Sequence, residues 1–257
     1  MSRLIKFGLF ILLFSIVLGR SVWFYDILKK PELFEIKVLA QESQNPADFI
    51  MKTVTKRALD NDNLKKDHLE YKRVYKIEGL NSREEPTGLK KNEVILISNG
   101  VEKLIEEDGR PVKGSTSSGS APSINFDNAL AGFYVFTMAE APIIAMNNRA
   151  YHVIKFQPKT NSKPNGDVEE ILARLTGILY IDVEKLFIYK LNATLTRDYK
   201  RGWFIYKLRR ADIELEQMEF HNIVVVNSFK VIDRYSVFGV EIFERQIIMY
   251  TDYVYKQ

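Results

Sequence analysis

Glu241-Ile-Phe-Glu-Arg-Gln-Ile-Ile-Met-Tyr-Thr-Asp-Tyr-Val-Tyr255 closes the chain on a run of β-branched and aromatic residues broken by single charges. Such a run suits a long β-strand. Upstream lie Arg234–Phe238, Ile223–Val226 with Lys230–Ile232, Asp212–Phe220, Gly202–Arg209, Leu186–Leu191 and Gly177–Asp182, separated by short connections. Strands joined so closely pair as antiparallel neighbours, because a parallel partner needs a crossover that no intervening helix is long enough to supply. Residues 176–256 therefore read as an antiparallel meander.

Alternation along these strands is two-sided. Phe243, Ile247, Met249 and Tyr253 share one parity of the last strand; Ile242, Ile248, Tyr250 and Val254 share the other. Ile178/Tyr180 against Leu179/Ile181, and Trp203/Ile205 against Phe204/Tyr206, repeat the pattern. A sheet with one wet face alternates more cleanly. The expectation is a sheet curled around helices, either filled by them or enclosing a lipid-sized hollow.

Two helices are available for that role. Asn45-Pro46 offers a capping side chain followed by proline at the first helical position, and Ala47, Phe49, Ile50, Val54 and Ala58 fall on one stripe that ends near Leu59–Asn63. Asp127 or Asn128 would cap a second helix reaching Ala139, with Leu130, Phe133, Tyr134 and Met138 on its apolar face. A shorter helical piece covers Val168–Arg174. Further strands are expected at His68–Leu80, at Glu93–Ser98 and Val101–Glu106 around the hairpin dipeptide Asn99-Gly100, and at Tyr151–Gln157. Residues 109–123 are rich in Gly, Ser and Pro and read as a flexible loop; they lack the Gly-Lys-Ser/Thr ending of a phosphate-binding loop.

At the other end of the chain, Arg3 and Lys6 precede the apolar run Phe7–Gly19, the layout of a signal peptide cleaved after Gly19. The same run could instead stay as an N-terminal anchor or pack as a buried helix. Residues 20–44 then form a spacer, and 45–257 a single domain. With either of the first two readings the domain lies outside the cytoplasm, in the periplasm of a bacterium. The chain has no cysteine, so neither disulfides nor an acylated cysteine enter. A net charge of +4, two of it from Arg3 and Lys6, is too small and too dispersed to suggest nucleic acid as a partner.

The leader, the helix after Asn45-Pro46, the strand around Glu70–Glu78 and the Asn99-Gly100 hairpin recur in a known arrangement. So do Tyr151-His-Val-Ile-Lys-Phe-Gln-Pro158, Leu175–Asp182 with Leu186–Leu191, and the closing long strands. Over about residues 45–256 the chain resembles the periplasmic lipoprotein-carrier superfamily, the LolA/LolB-like fold, and its uncharacterised exported bacterial relatives. The resemblance implies an α+β, mostly β fold, in which a curved antiparallel sheet forms an incomplete barrel with helices packed in its open mouth. It also implies an apolar cavity for a lipid or acyl chain.

The ligand-binding candidates are the large apolar groups on the second helix and a central strand: Phe133, Tyr134, Phe136, Trp203, Phe204 and Tyr206. The alternative reading is an envelope scaffold or sensor, anchored by its N-terminal segment, that binds a protein partner and has no ligand cavity. Expected partners are thus a lipid or acylated protein, or an inner- or outer-membrane protein. No cofactor, metal or catalysis is expected. His68, His152 and His221 lack ligand spacing, no nucleophile elbow is present, Glu169-Glu170 suits a helix start, and Asp182 suits a hairpin turn. Asn192-Ala-Thr194 matches a glycosylation acceptor, which matters only in a eukaryotic secretory route.

Overall fold

Asn45 caps the first helix as the sequence requires. Its side chain accepts from the Ala47 amide at 3.0 Å, with Pro46 at the first helical position, and α1 runs Pro46–His68. The computed structural model describes residues 45–112, 132–164, 166–202 and 205–256. The leader, the anchor and spacer expected over 1–44, most of the flexible loop, the start of the second helix, Trp203 and Phe204 all lie outside the described residues.

Helix α1 continues beyond the expected stop at Asn63 because its last turns are tied to the sheet. Asn61 donates from Nδ2 to the Val224 carbonyl at 2.7 Å and accepts from the Val224 amide at 2.8 Å. Twelve strands follow: β1 Leu69–Leu80, β2 Pro86–Ser98, β3 Val101–Glu107, β4 Arg110–Pro111, β5 Tyr134–Met146, β6 Arg149–Pro158, β7 Leu175–Asp182, β8 Ile188–Leu195, β9 Tyr199–Arg201, β10 Tyr206–Phe220, β11 Ile223–Val237 and β12 Val240–Tyr255. One short helix, α2, spans Asp167–Leu172 between β6 and β7.

All strands join one sheet in the order β4-β3-β2-β1-β12-β11-β10-β8-β7-β6-β5, with β9 paired to β10. Every pairing is antiparallel. Several hairpins turn on two residues that both have positive φ: Asn99-Gly100, Asn147-Asn148, His221-Asn222 and Phe238-Gly239. That is the turn whose twist matches paired strands.

The barrel expectation is overturned. The strand path starts at the edge β4 and ends at the edge β5 without pairing the two, so the sheet is open rather than an incomplete barrel. The physical reason begins at β5, which takes up residues expected in the second helix: Gly132 is helical, but Tyr134–Met146 is strand. Tyr134 and Met138, expected on the apolar face of that helix, belong to β5, where Tyr134 and Phe136 are buried and Val135 and Thr137 are exposed, a period of two. β1 adds to β12, so that β1–β4 extend the sheet sideways instead of closing it. Other boundaries shift similarly. Tyr206–Arg209 and Asp212–Phe220, expected in separate strands, belong to one strand, β10, and the segments from Ile223 to Val237 merge into β11. Arg110–Pro111, expected in the loop, pairs with β3.

The two faces of the sheet differ in chemistry. One row crosses it as Met138, Ile154, Leu179, Leu191, Leu215, Phe229, Ile248, Tyr75 and Glu93, residues directly opposite one another on successive strands. Ala47, Met51 and Val54 of α1 pack on the apolar part of this face with Tyr134, Phe136, Ile154, Phe156, Leu179, Ile181 and Leu191, forming the main core. Helix α2 joins the same face through Leu172, and Ile171 packs on a second cluster of Tyr199, Leu208, Ala211, Tyr235 and Val237. The apparent two-sided alternation in β12 arises partly from an irregularity in its pairing with β1. Asp252 has φ 55° where the register shifts, and Tyr253 contacts the ring of Tyr71, which also meets Tyr250 on the helix side.

Away from α1 the helix-side face buries an ion pair. Arg73 meets Glu102 through two bonds of 3.1 and 2.9 Å, with the side chains 7% and 4% exposed. The fork geometry keeps both charges satisfied out of water, where removing either partner costs about 3–5 kcal/mol. Beside the pair, burial pushes the Tyr71 phenol up to about 12 and those of Tyr250 and Tyr253 higher still.

Gly177 makes the closest strand approach. A Cβ at this position would collide with the Asn192 carbonyl oxygen and lie 2.9 Å from the Ala193 Cα, both backbone atoms that cannot swing aside. Gly177→Val is expected to lower stability by about 3 kcal/mol, read as the urea midpoint at constant slope. The tyrosines set an alkaline limit. The folded chain holds their protons more tightly than the unfolded chain, whose phenols titrate near about 10. Stability is thus unaffected below that pH and falls as pH rises from about 10 towards 12. Urea midpoints at pH 8 and 11 check this, and Tyr71→Phe should flatten the decline.

Candidate functional site

The four described residues of the expected ligand wall do not share one surface. Tyr134 and Phe136 are each 3% exposed, on β5 rather than on a plug helix, and Phe133 packs against the same core. Tyr134 meets Phe156 edge-on at 5.0 Å and donates its hydroxyl to the Leu172 carbonyl at 2.6 Å, while burial raises its pKa far above the usual phenol value. Tyr206 belongs to the other cluster, its ring 6.1 Å from Tyr199 and 5.8 Å from Tyr235. Between α1 and the sheet, Ala47, Met51 and Val54 occupy the interface and are at most 2% exposed. Among the described residues this helix–sheet interface is packed core, and the open sheet encloses no barrel cavity.

The arrangement that stands out lies on the opposite face. Thr137, Lys155, Ile178, Asn192, Glu214, Lys230, Ile247, Lys76 and Asn92 form an unbroken row of opposed residues from β5 to β2. The next row holds Thr176, Thr194, Asp212, Ile232, Arg245 and Glu78. Both described helices are on the other side, so these rows face outward.

At the β5–β10 end the polar face sinks into a depression of ≈ 610 Å3, whose lining includes Thr137, Lys155, Thr176, Lys190, Asn192 and Glu214. Its charges are mostly neutralised from within. Lys190 pairs with Glu216 at 2.9 Å and Lys230 with Glu214 at 3.4 Å; Asp212 accepts from the Thr194 hydroxyl at 2.6 Å and from Arg210 at 2.5 Å. The carboxylates around Lys190 and Arg210 hold both cations above their ordinary pKa values, chiefly by accepting their hydrogen bonds at Glu216 and Glu84. Asn192 is the exception. Its Oδ1 is buried and accepts no hydrogen bond among the described residues. An acceptor left in that state costs about 1–3 kcal/mol until a donor reaches it.

Sequence reasoning passed over these residues. The available signal was polar spacing of two, Lys190/Asn192/Thr194 and Asp212/Glu214/Glu216, in strands already identified. Alternation marks a wet face, but which wet residues meet across five strands is a matter of register. The histidines stay apart from any cluster: no group of three His, Asp or Glu able to hold a metal occurs among the described residues. His68 and His221 instead stack on the two sides of Tyr255, at 5.4 and 5.0 Å. Asp182 accepts from the amides of Glu184 and Lys185 at 3.0 and 2.8 Å, the turn role its position suggested. No described helix is long and apolar enough to cross a membrane.

No protein-family model matches the chain, and no curated protein matches it. Among solved structures, distant likenesses are found. A DUF1329 family protein from Desulfovibrio piger is 11% identical, with a TM-score of 0.35 over 82% of this chain and 93% of that one. A putative outer membrane lipoprotein-sorting protein domain from Vibrio parahaemolyticus is 10% identical, with a TM-score of 0.36 over 80% and 93%. The MucA/MucB complex of Pseudomonas aeruginosa gives 12% identity and a TM-score of 0.23 over 76% and 94%. These are remote likenesses of β-sheet architecture, and no family membership follows from them.

Phe136 separates packing from ligand binding. Phe136→Ala is expected to cost about 3–5 kcal/mol of stability, as an aromatic side chain removed from a closed core does. Thermal and urea unfolding measure that loss; an unchanged midpoint would mean the ring faces a pre-existing hollow.

Proposed function

We propose that this protein is a cell-envelope scaffold or sensor domain that docks a protein partner on the polar face of its open sheet. One observation carries the reading: a row of outward-facing residues crosses nine strands with no described helix above it, and it contains the unpartnered Asn192 Oδ1. Internal ion pairs leave the surface nearly neutral but dense in donors and acceptors. That suits a folded protein surface of mixed polarity. A polyanion would need an excess of positive charge, and an acyl chain an apolar enclosure. An envelope location is supported by the basic start and the apolar run Phe7–Gly19, which fit export or N-terminal anchoring.

Site-specific photocrosslinking in intact cells tests the reading. With p-benzoylphenylalanine replacing Lys155, one protein adduct is expected, and adding Glu214→Arg should reduce its yield about tenfold by opposing like charge across the contact. The same photoprobe replacing Lys52 on the exposed side of α1 should give no such adduct. Adducts from Lys52 alone, or a stoichiometric acyl lipid extracted from the native protein, would sink the proposal.

A further inference from the structure

A second depression, of ≈ 470 Å3, lies at the end of the molecule where the β6–α2 loop, the end of α2 and the β8–β9 turn meet. It is lined by Pro158, Lys159, Thr160, Ser162, Pro164, Glu170, Ala173, Arg174, Thr196 and Arg197. Three cations and one carboxylate line it. The carboxylate is already used: Glu170 accepts from Arg174 Nη2 at 3.2 Å, and its backbone carbonyl accepts from Nη1. Nearby acids are engaged elsewhere, Asp167 by Arg201 at 2.8 Å and Asp198 by Lys207 at 2.6 Å. Lys159 and Arg197 therefore carry no ion-pair partner among the described residues.

Arg174 is held in place rather than free to sweep the surface. Its guanidinium stacks on the Tyr199 ring at 5.3 Å, and its backbone carbonyl accepts from the Thr196 amide and hydroxyl, each at 2.8 Å. In that position its Nε–H is buried and has no acceptor among the described residues. A fixed guanidinium with a spare N–H, flanked by two unneutralised cations, suits a tetrahedral oxyanion, which takes several charge-assisted hydrogen bonds at once. A carbohydrate hydroxyl would leave both flanking charges unanswered.

We propose that this pocket binds a phosphoryl anion, through Arg174, Lys159 and Arg197. Free phosphate and phospholipid headgroups present the same group, and the volume admits either.

The test uses uniformly 15N-labelled protein, observing the arginine Nε–H resonances during titration with inorganic phosphate against sodium chloride of equal ionic strength. A parallel arm measures co-sedimentation with phosphatidylglycerol vesicles and with phosphatidylcholine vesicles. Saturable movement of the Arg174 Nε–H signal with phosphate is expected, and Lys159→Ala and Arg197→Ala should each weaken it about tenfold. Both substitutions are at exposed positions and should leave the thermal midpoint unchanged. Binding to the anionic vesicles alone, lost in the same variants, assigns the headgroup as the source. Phosphate saturation without vesicle binding assigns a soluble one. An Arg174 signal unmoved by both phosphate and vesicles, or movement undiminished in both variants, overturns the proposal.

Discussion

The seating of Ala47, Met51 and Val54 on the apolar row of the sheet is the contact on which the remaining architecture depends. A single sheet of twelve strands has two faces, and burying one is enough to hold it together only if that face is apolar and covered. Helix α1 supplies the cover. It is fastened at both ends, by Asn45 Nδ2 to the Phe136 carbonyl at 2.8 Å and by Asn61 to Val224. These clamps fix the helix over the strands from β5 to β11, and β1 then leaves His68 directly to pair with β12. Because β1 joins there, the following strands must extend the sheet instead of closing it.

An open sheet leaves its second face to water, and the chain equips that face accordingly. Lysines and carboxylates alternate across strands so that like charges seldom oppose, as in Lys190 with Glu216 and Lys230 with Glu214. Exposed pairs of this sort add little stability. Their effect is to keep a wide, flat surface soluble while leaving its hydrogen-bonding groups in fixed positions, which is the property that favours a protein contact over an apolar ligand. On the helix-side face of β1 and β3, Arg73 and Glu102 form a satisfied buried pair beside the Tyr71 and Tyr250 rings.

Much of the strand pattern was legible because it is local. Asn99-Gly100 specified a hairpin, Asn45-Pro46 a helix start, and the β12 sequence a strand that matches Val240–Tyr255 closely. The failure at β5 has an equally local cause. Tyr134-Val-Phe-Thr-Met138 contains both an alternating pattern and apolar spacing of three and four, and its aromatic and β-branched residues favour strand over helix. The long strands were divided at charged residues such as Arg209-Arg210 and Asp233-Arg234. In the structure these lie mid-strand, and the register shift at Leu208/Arg210 absorbs the interruption.

By itself the sequence determined an antiparallel, mostly β chain with an N-terminal capped helix, because turn chemistry and period-two alternation depend on neighbours a few residues apart. Tertiary structure alone decided that the sheet stays open, that Tyr134 and Phe136 are core while Lys155, Asn192 and Glu214 share a surface, and that Arg174, Lys159 and Arg197 line one depression. Each of those facts depends on which strand pairs with which and in what register. Shifting that register by one residue would exchange the buried and exposed rows without changing a single letter of the sequence.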